Sequence, residues 1–271
     1  MSGQLQQEII RRFGVKPVID VDEEIRRRVD FLKEHVVQAR AAGLLIAISG
    51  GVDSAVTAGL CKRATDELSR ETGRDYWTVG VFQPYGEQPD IEDAYEVARV
   101  FGLTHTVETN IRDAVDEIAL EAEYALKKLG LPRHLSKEAK GNVKARTRMV
   151  LQYALANELN LLVVGTDHAS EAVTGFFTKW GDGAVDLTPL SSLNKRQVRM
   201  LAERLGVPRR IIEKAPTAGL WEGQTDEGEL GIPYEANSDY LEGKDIDPVI
   251  REKLERQYLR TEHKRSPIPG I

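Results

Sequence analysis

The chain has 271 residues, of which 41% are hydrophobic and 30% charged, a balance that supports a packed core and excludes the disordered and fibrous classes. Its formal net charge is −6, which argues against a nucleic-acid partner, so a site for anionic ligands has to be assembled locally from Lys, Arg and backbone N–H groups. No run approaches the ~20 apolar residues of a membrane span, and the opening MSGQLQQEIIRRFGV lacks the apolar stretch of a signal peptide; the expectation is no membrane partner and a cytoplasmic protein.

Ile25, Val29, Leu32, Val36 and Val37 recur at helical spacing and predict an amphipathic helix over 21–42, stopped by Gly43. LLIAIS (44–49) is a short continuous apolar run, the pattern of a strand buried on both faces. A helical pattern follows from Asp53 to Glu71. It contains the single cysteine, Cys61, which cannot form an internal disulfide and is expected to be a small core residue. WTVGVF (77–82) reads as a second strand, 90–101 as a helix and THTVET (104–109) as a third strand. Helices are predicted over 110–129 and 137–158, and LLVVGT (161–166) is a further strand. Helical patterns resume from about Ala169, over 194–205 and over 248–263. Pro216 to Pro233 is rich in turn residues and long for a connection inside a compact domain, as functional lids are.

Strands alternating with helices of ten or more residues predict an α/β fold: a doubly wound parallel sheet of about five strands with helices on both faces. Ligands of such sheets bind beyond the carboxyl ends of the strands, where the strand order reverses. Chemistry is therefore expected just after Ser49, Phe82 and Gly165.

The first strand runs directly into Ser49-Gly50-Gly51-Val52-Asp53-Ser54 and then a helix. Glycines let the backbone approach a phosphate closely, and the helix N-terminus offers unpaired N–H groups with a positive partial charge. Asp53 would repel a bare phosphate; it is either an N-terminal cap or a ligand for Mg²⁺ that bridges to the phosphate. No Gly-Lys-Ser/Thr follows, so this is not the common P-loop.

SGGVDS resembles the pyrophosphate-binding loop of the N-type ATP pyrophosphatases, which include NAD synthetases, GMP synthetases, asparagine synthetases and tRNA-thiolating enzymes. GTDHASEAVTGFFTKWGDGAVDLTPLSSLNKRQVR (165–199), GNVKARTRM (141–149), KAPTAGL (214–220), DYLEGK (239–244) and TEHKR (261–265) are similar to the NAD synthetase signatures, in collinear order over nearly the whole chain. The resemblance implies an adenine nucleotide alpha-hydrolase-like fold in one domain: N-terminal helices over 1–43, an ATP-pyrophosphatase core over 44–215, and a lid loop with a C-terminal helix over 216–271.

It also implies roles. ATP would contact Ala47, Ile48, Ser49, Gly50, Gly51, Val52, Asp53, Ser54, Thr166, Lys195 and Thr217, with Asp53 and Lys195 catalytic. Mg²⁺ would be held by Asp53 and Glu171. Deamido-NAD would meet Arg146, Lys179, Asp186, His263 and Lys264. From the residues alone, Glu171 reads as a helix-surface carboxylate and His263 and Lys264 as an exposed pair, whereas Lys179 and Asp186 are equally solvated charges. Lys195 opens a helix, where a cation opposes the macrodipole unless an anion offsets it. Lys144 and Arg148 share a helix face and Arg146 points away; the resemblance sends Arg146 to the partner subunit's site in a homodimer, with Met149, Val150 and Tyr153 as apolar contacts.

The implied reaction is ATP-dependent amidation of deamido-NAD to NAD through an adenylated carboxylate, with AMP and pyrophosphate released. Relatives with a glutaminase domain use a catalytic cysteine; the segment before LLIAIS is too short for one, so free ammonia is the expected nitrogen source. Two departures stand out. Gly219 replaces the Asp of PTADL, and SPIPGI lacks the aromatic and acidic tail of some relatives. The rival readings are a tRNA-thiolating enzyme, disfavoured by the charge and the lone cysteine, and a non-catalytic adenine-nucleotide sensor, which has no need of Glu171, Lys195 and His263 together.

Overall fold

The computed structural model describes residues 2–215 and 226–270. Two helices come first, α1 (Ser2–Phe13) and α2 (Val21–Gln38), followed by β1 (Gly43–Ala47), α3 (Val52–Thr72), β2 (Trp77–Phe82), α4 (Ile91–Val100) and β3 (His105–Glu108). After α5 (Arg112–Lys128) and α6 (Lys137–Leu159) come β4 (Leu161–Val164), α7 (Ala169–Thr174), α8 (Lys195–Leu205) and α9 (Arg209–Ile212). The chain continues through α10 (Asp226–Leu230), α11 (Tyr234–Leu241), α12 (Pro248–Arg260) and a 3₁₀ turn, Glu262–Lys264.

All strand pairs are parallel and the order is β3-β2-β1-β4. In place of a full fifth strand, one parallel bridge joins Val164 to Leu187, extended by Leu187 and Asp186 N–H donating to the Val163 carbonyl. The order reverses at β1, which opens a crevice between the carboxyl ends of β1 and β4.

The pleat sends alternate side chains to opposite faces. Leu44, Ile46 and Val164 join α2, α3 and α8 in one core, and Leu45, Val163 and Leu161 join α6 in the other, so helices cover both faces. Helix ends follow local chemistry. Asp20 and Ser136 accept N-cap bonds from Glu23 and Ala139 N–H, and Asn194 with Gln197 forms a capping box on α8.

A third apolar cluster gathers Ile9 of α1, Val173 of α7, Tyr240 of α11, and Leu254 and Tyr258 of α12. Gln6 Nε2 ties the two ends of the chain together by donating to the carbonyls of Tyr240 (2.8 Å) and Lys244 (3.0 Å). Helices α9, α10 and α11 were not foreseen from sequence, and α10 lies within the stretch expected to be a loop up to Pro233. No helix among the described residues is long and apolar enough to cross a membrane.

Candidate active site

Residues 48–51 connect β1 to α3 at the crevice. Gly50 has φ +85°, and a Cβ there would stand 3.1 Å from Ala94 N and from Asp93 Cβ, so both conformation and space call for glycine. Ser54 Oγ folds back to donate to the Gly51 carbonyl (3.0 Å), lies 3.1 Å from Ser49 Oγ and accepts Ser49 N–H at 3.2 Å. Gln88 Nε2 holds the Ser49 carbonyl from outside (3.0 Å). Gly51 is the N-cap of α3, with no side-chain cap bond. Asp53 is therefore not a cap: the first turn of α3 keeps its N–H groups for an anion, and the Asp53 carboxylate turns into the crevice.

There it meets residues from the far side of the switch point. Lys195 Nζ lies 2.6 Å from Asp53 Oδ2, and His168 Nε2 lies 3.5 Å from Asp53 Oδ1 and 3.6 Å from Glu171 Oε2. Lys195 and His168 are 2% and 0% exposed. The anion that offsets the cation at the start of α8 is thus Asp53. Burial pushes the Asp53 carboxyl up, but the Lys195 ammonium, aided by the charge of Arg199, outweighs it and leaves the carboxyl below its ordinary value. Burial drives His168 down to about 3, so its imidazole is neutral. Glu171, one turn into α7, turns back to accept His168 N–H at 3.3 Å.

One ligand atom from each of Asp53, His168 and Glu171 falls within 4.8 Å of the others. Asp53 Oδ1 is buried and has no hydrogen-bond partner among the described residues. An orphaned carboxylate oxygen facing a second carboxylate suits a hard divalent cation such as Mg²⁺. His168 went unnoticed in sequence, although its place three residues before Glu171 in GTDHASE was the available signal.

Thr166 lies two residues beyond β4, at the ligand edge as expected. Asp167 follows; burial, together with the charges of Asp182 and Asp53, raises its carboxyl well above the ordinary range. Burial likewise raises Asp182, although Thr178 N–H donates to it at 3.0 Å. This carboxyl pair was also missed in sequence. Thr217 and Gly219 lie outside the described residues.

Four of the five residues assigned to deamido-NAD converge. Arg146 Nη2 donates to the Lys179 carbonyl (3.1 Å), and Lys179 Nζ to the His263 carbonyl (2.5 Å). Lys264 Nζ donates to the carbonyls of Gly175 and Phe177, both at 2.7 Å, where α7 ends. Asp186 stands apart, with its carboxylate accepting Val163 N–H (2.8 Å) and the Tyr153 hydroxyl (3.0 Å). Trp180, half-exposed beside Lys179 and held at φ +64°, is an aromatic that sequence reasoning passed over. Lys144 and Arg148 turn from Arg146 as expected, toward the Tyr85 ring and the Gln83 carbonyl. Cys61 is fully buried with its thiol pushed up by burial, a core residue.

Residues 24–268 match the family model described as NAD synthase. The chain is 49% identical over 263 residues to the NH(3)-dependent NAD(+) synthetase of Exiguobacterium sibiricum, covering 96% of this chain and 95% of that protein. It is 47% identical to the enzyme of the same description from Limosilactobacillus fermentum, covering 97% and 95%. Among solved structures, NAD+ synthetase from Burkholderia pseudomallei superposes with a TM-score of 0.82 at 36% identity, covering 98% of this chain and 97% of that one. NMN synthetase from Francisella tularensis also gives 0.82, at 34% identity, covering 94% and 99%.

Proposed function

This chain belongs to the NAD synthase family, and from that premise we propose how its residues carry out the reaction. It is a carbon–nitrogen ligase of ammonia-dependent NAD synthesis. A carboxylate is inert toward ammonia because its leaving group would be oxide or hydroxide. Attack of the nicotinate carboxylate of deamido-NAD on the α-phosphorus of ATP forms a new P–O bond and breaks the bond to pyrophosphate. Ammonia then adds to the adenylated carbonyl, the C–O bond to AMP breaks, a proton is lost and the amide remains.

Chemistry of this kind is mostly positioning and charge stabilisation. Gly50, Gly51, Ser49 and Ser54 would cradle the pyrophosphate on the free N–H groups of α3. Lys195 would turn from Asp53 to the charge that develops on the leaving group. Mg²⁺ held by Asp53 and Glu171 would neutralise phosphate charge when bound. Arg146, Lys179, His263 and Lys264 would receive the dinucleotide. In this reading Asp186 acts through Tyr153 and the Val163 backbone in β4 rather than as a free carboxylate.

Exposed Leu120 and Tyr124, one turn apart on α5, and exposed Val150 on α6 support a homodimer, whose substrate site would be shared across the interface, and small water-borne substrates fit the cytoplasm. The single observation that carries the reading is the meeting of Asp53, Glu171 and Lys195 over a phosphate loop at the β1–β4 switch point.

The deciding experiment follows AMP and pyrophosphate with deamido-NAD and either ammonium or glutamine. One AMP and one pyrophosphate per NAD, with ammonium alone, is the expected result; ADP as product, or equal use of glutamine by the isolated chain, refutes it. The same assay for NMN formation separates this chain from the Francisella protein.

A further inference from the structure

Lys195 is a buried cation, and its ammonium meets two partners among the described residues. One is Asp53 Oδ2 at 2.6 Å; the other is the ring of Tyr234, whose centroid lies 5.1 Å from Nζ. Tyr234 is 4% exposed and stands edge-on to His168, with centroids 6.1 Å apart. An ammonium within about 6 Å of a ring centroid is attracted by the ring quadrupole, most strongly where water is excluded.

The backbone that carries the ring is fixed independently of the Lys195 side chain. Tyr234 opens α11, and its N–H donates to Glu227 Oε1 at 2.7 Å. Asn237 of α11 donates to the Ser170 carbonyl (3.0 Å), and Ser170 Oγ accepts Lys195 N–H (3.2 Å). Arg196, the neighbour of Lys195, locks α8 to α11 through Glu235 (2.6 Å), Asp239 (3.0 Å) and Glu242 (2.8 Å). The backbones that carry cation and ring are therefore tied together through Ser170 and Arg196.

We propose that Tyr234 is a positioning residue for the reaction, whose ring face holds the Lys195 ammonium in place while that cation exchanges Asp53 for the phosphates of ATP. The inference rests on the reading of Lys195 given above. The exchange is where a second partner matters. Metal and triphosphate compete for Asp53 and Lys195 at once, and a lysine that loses its carboxylate in a dry site either swings away or loses its proton. A second carboxylate would prevent that but would also compete with the phosphate. A ring is neutral and binds only the cation, so it steadies the ammonium without neutralising it.

The test replaces Tyr234 by Phe and by mono-, di- and trifluorinated phenylalanines, which keep the ring's shape while draining its negative face. With Phe as the baseline, the logarithm of kcat should fall in step with fluorine number, to about tenfold at three fluorines, with KM for deamido-NAD unchanged and thermal midpoints alike across the series. Tyr234→Leu should fall at least as far. A flat series, with Lys195→Ala still abolishing pyrophosphate release, overturns the role of Tyr234 and leaves the reading of Lys195 standing. Pyrophosphate release undiminished in Lys195→Ala overturns both.

Discussion

Lys195 and Asp53 are 142 positions apart, yet Nζ and Oδ2 meet at 2.6 Å across the sheet's switch point. A buried pair of this kind is costly to break and cheap to replace whole, because removing one partner strands the other charge. Asp53→Ala should therefore lower stability by about 3–5 kcal/mol and abolish pyrophosphate release. Lys195→Met alone should abolish activity too. The double variant Asp53→Ala/Lys195→Met should recover most of the stability and none of the activity. Urea titrations of the four proteins give the coupling energy; additive losses would mean that the pair carries no weight in the folded chain.

Gly50→Ala probes the phosphate loop. The substitution meets both a φ of +85° and two neighbours at 3.1 Å, Ala94 N and Asp93 Cβ, on a segment that Lys214, bound to Asp90 and to Asp93 (2.7 Å), holds down. The loop must shift, so KM for ATP should rise at least tenfold, whereas KM for deamido-NAD changes by less than about threefold, since its residues lie on other elements. Alanine costs of this kind are about 1–3 kcal/mol. Initial rates with each substrate varied in turn decide the point; matched increases in both KM values would place the loop outside the nucleotide site.

The sheet was legible because β1, β2 and β4 are short, largely apolar runs, and LLIAIS running into SGGVDS located both β1 and the phosphate loop. The predicted strand over 104–109 also appears, although every β3 side chain is exposed, because it lies at the sheet edge. Helix α11 was not legible: Tyr234 to Leu241 is only eight residues long, and its order comes from Arg196 and Ser170, partners that no local pattern discloses. The same limit hid His168 and Tyr234, which matter by what they face across the crevice. Asp186 shows the reverse. A carboxylate on a turn read as solvent- or substrate-facing, but Val163 N–H and Tyr153 occupy it.

The proposed dimer contact of α5 and α6 can be tested directly. Leu120 of α5 and Val150 of α6 are each 59% exposed. The unaltered chain should sediment as a dimer, and Leu120→Glu/Val150→Glu as a monomer at the same concentration. Because the substrate site is proposed to be shared across the interface, KM for deamido-NAD should rise at least tenfold on dissociation, with ATP-dependent protection against unfolding retained. A fully active monomer would separate the surface from the site.

Glu242 offers a pH test of the α8–α11 lock. Burial pushes its carboxyl up, but Lys244, Asn194 and Arg196 hydrogen-bond it and more than compensate, holding it below the ordinary value of 4.5. Between its folded value and 4.5 the unfolded chain binds more protons than the folded one, so stability rises with pH there. The contribution is complete above about pH 4.5 and disappears as pH falls through the folded value. Glu242→Gln keeps the shape, loses the charge, and should cost about 1.5–3 kcal/mol at pH 7, the range for hydrogen bonds to charged groups. Other carboxylates titrate in the same window, so the informative quantity is the difference between the two proteins. It should be constant above pH 5 and shrink as acid is added. Since Arg196 shares Glu242 with Asn194 at the head of α8, the variant should also lower kcat modestly at neutral pH. Unfolding curves from pH 7 to pH 3 that stay parallel would show that Glu242 carries no charge-dependent stability and that the lock is packing alone.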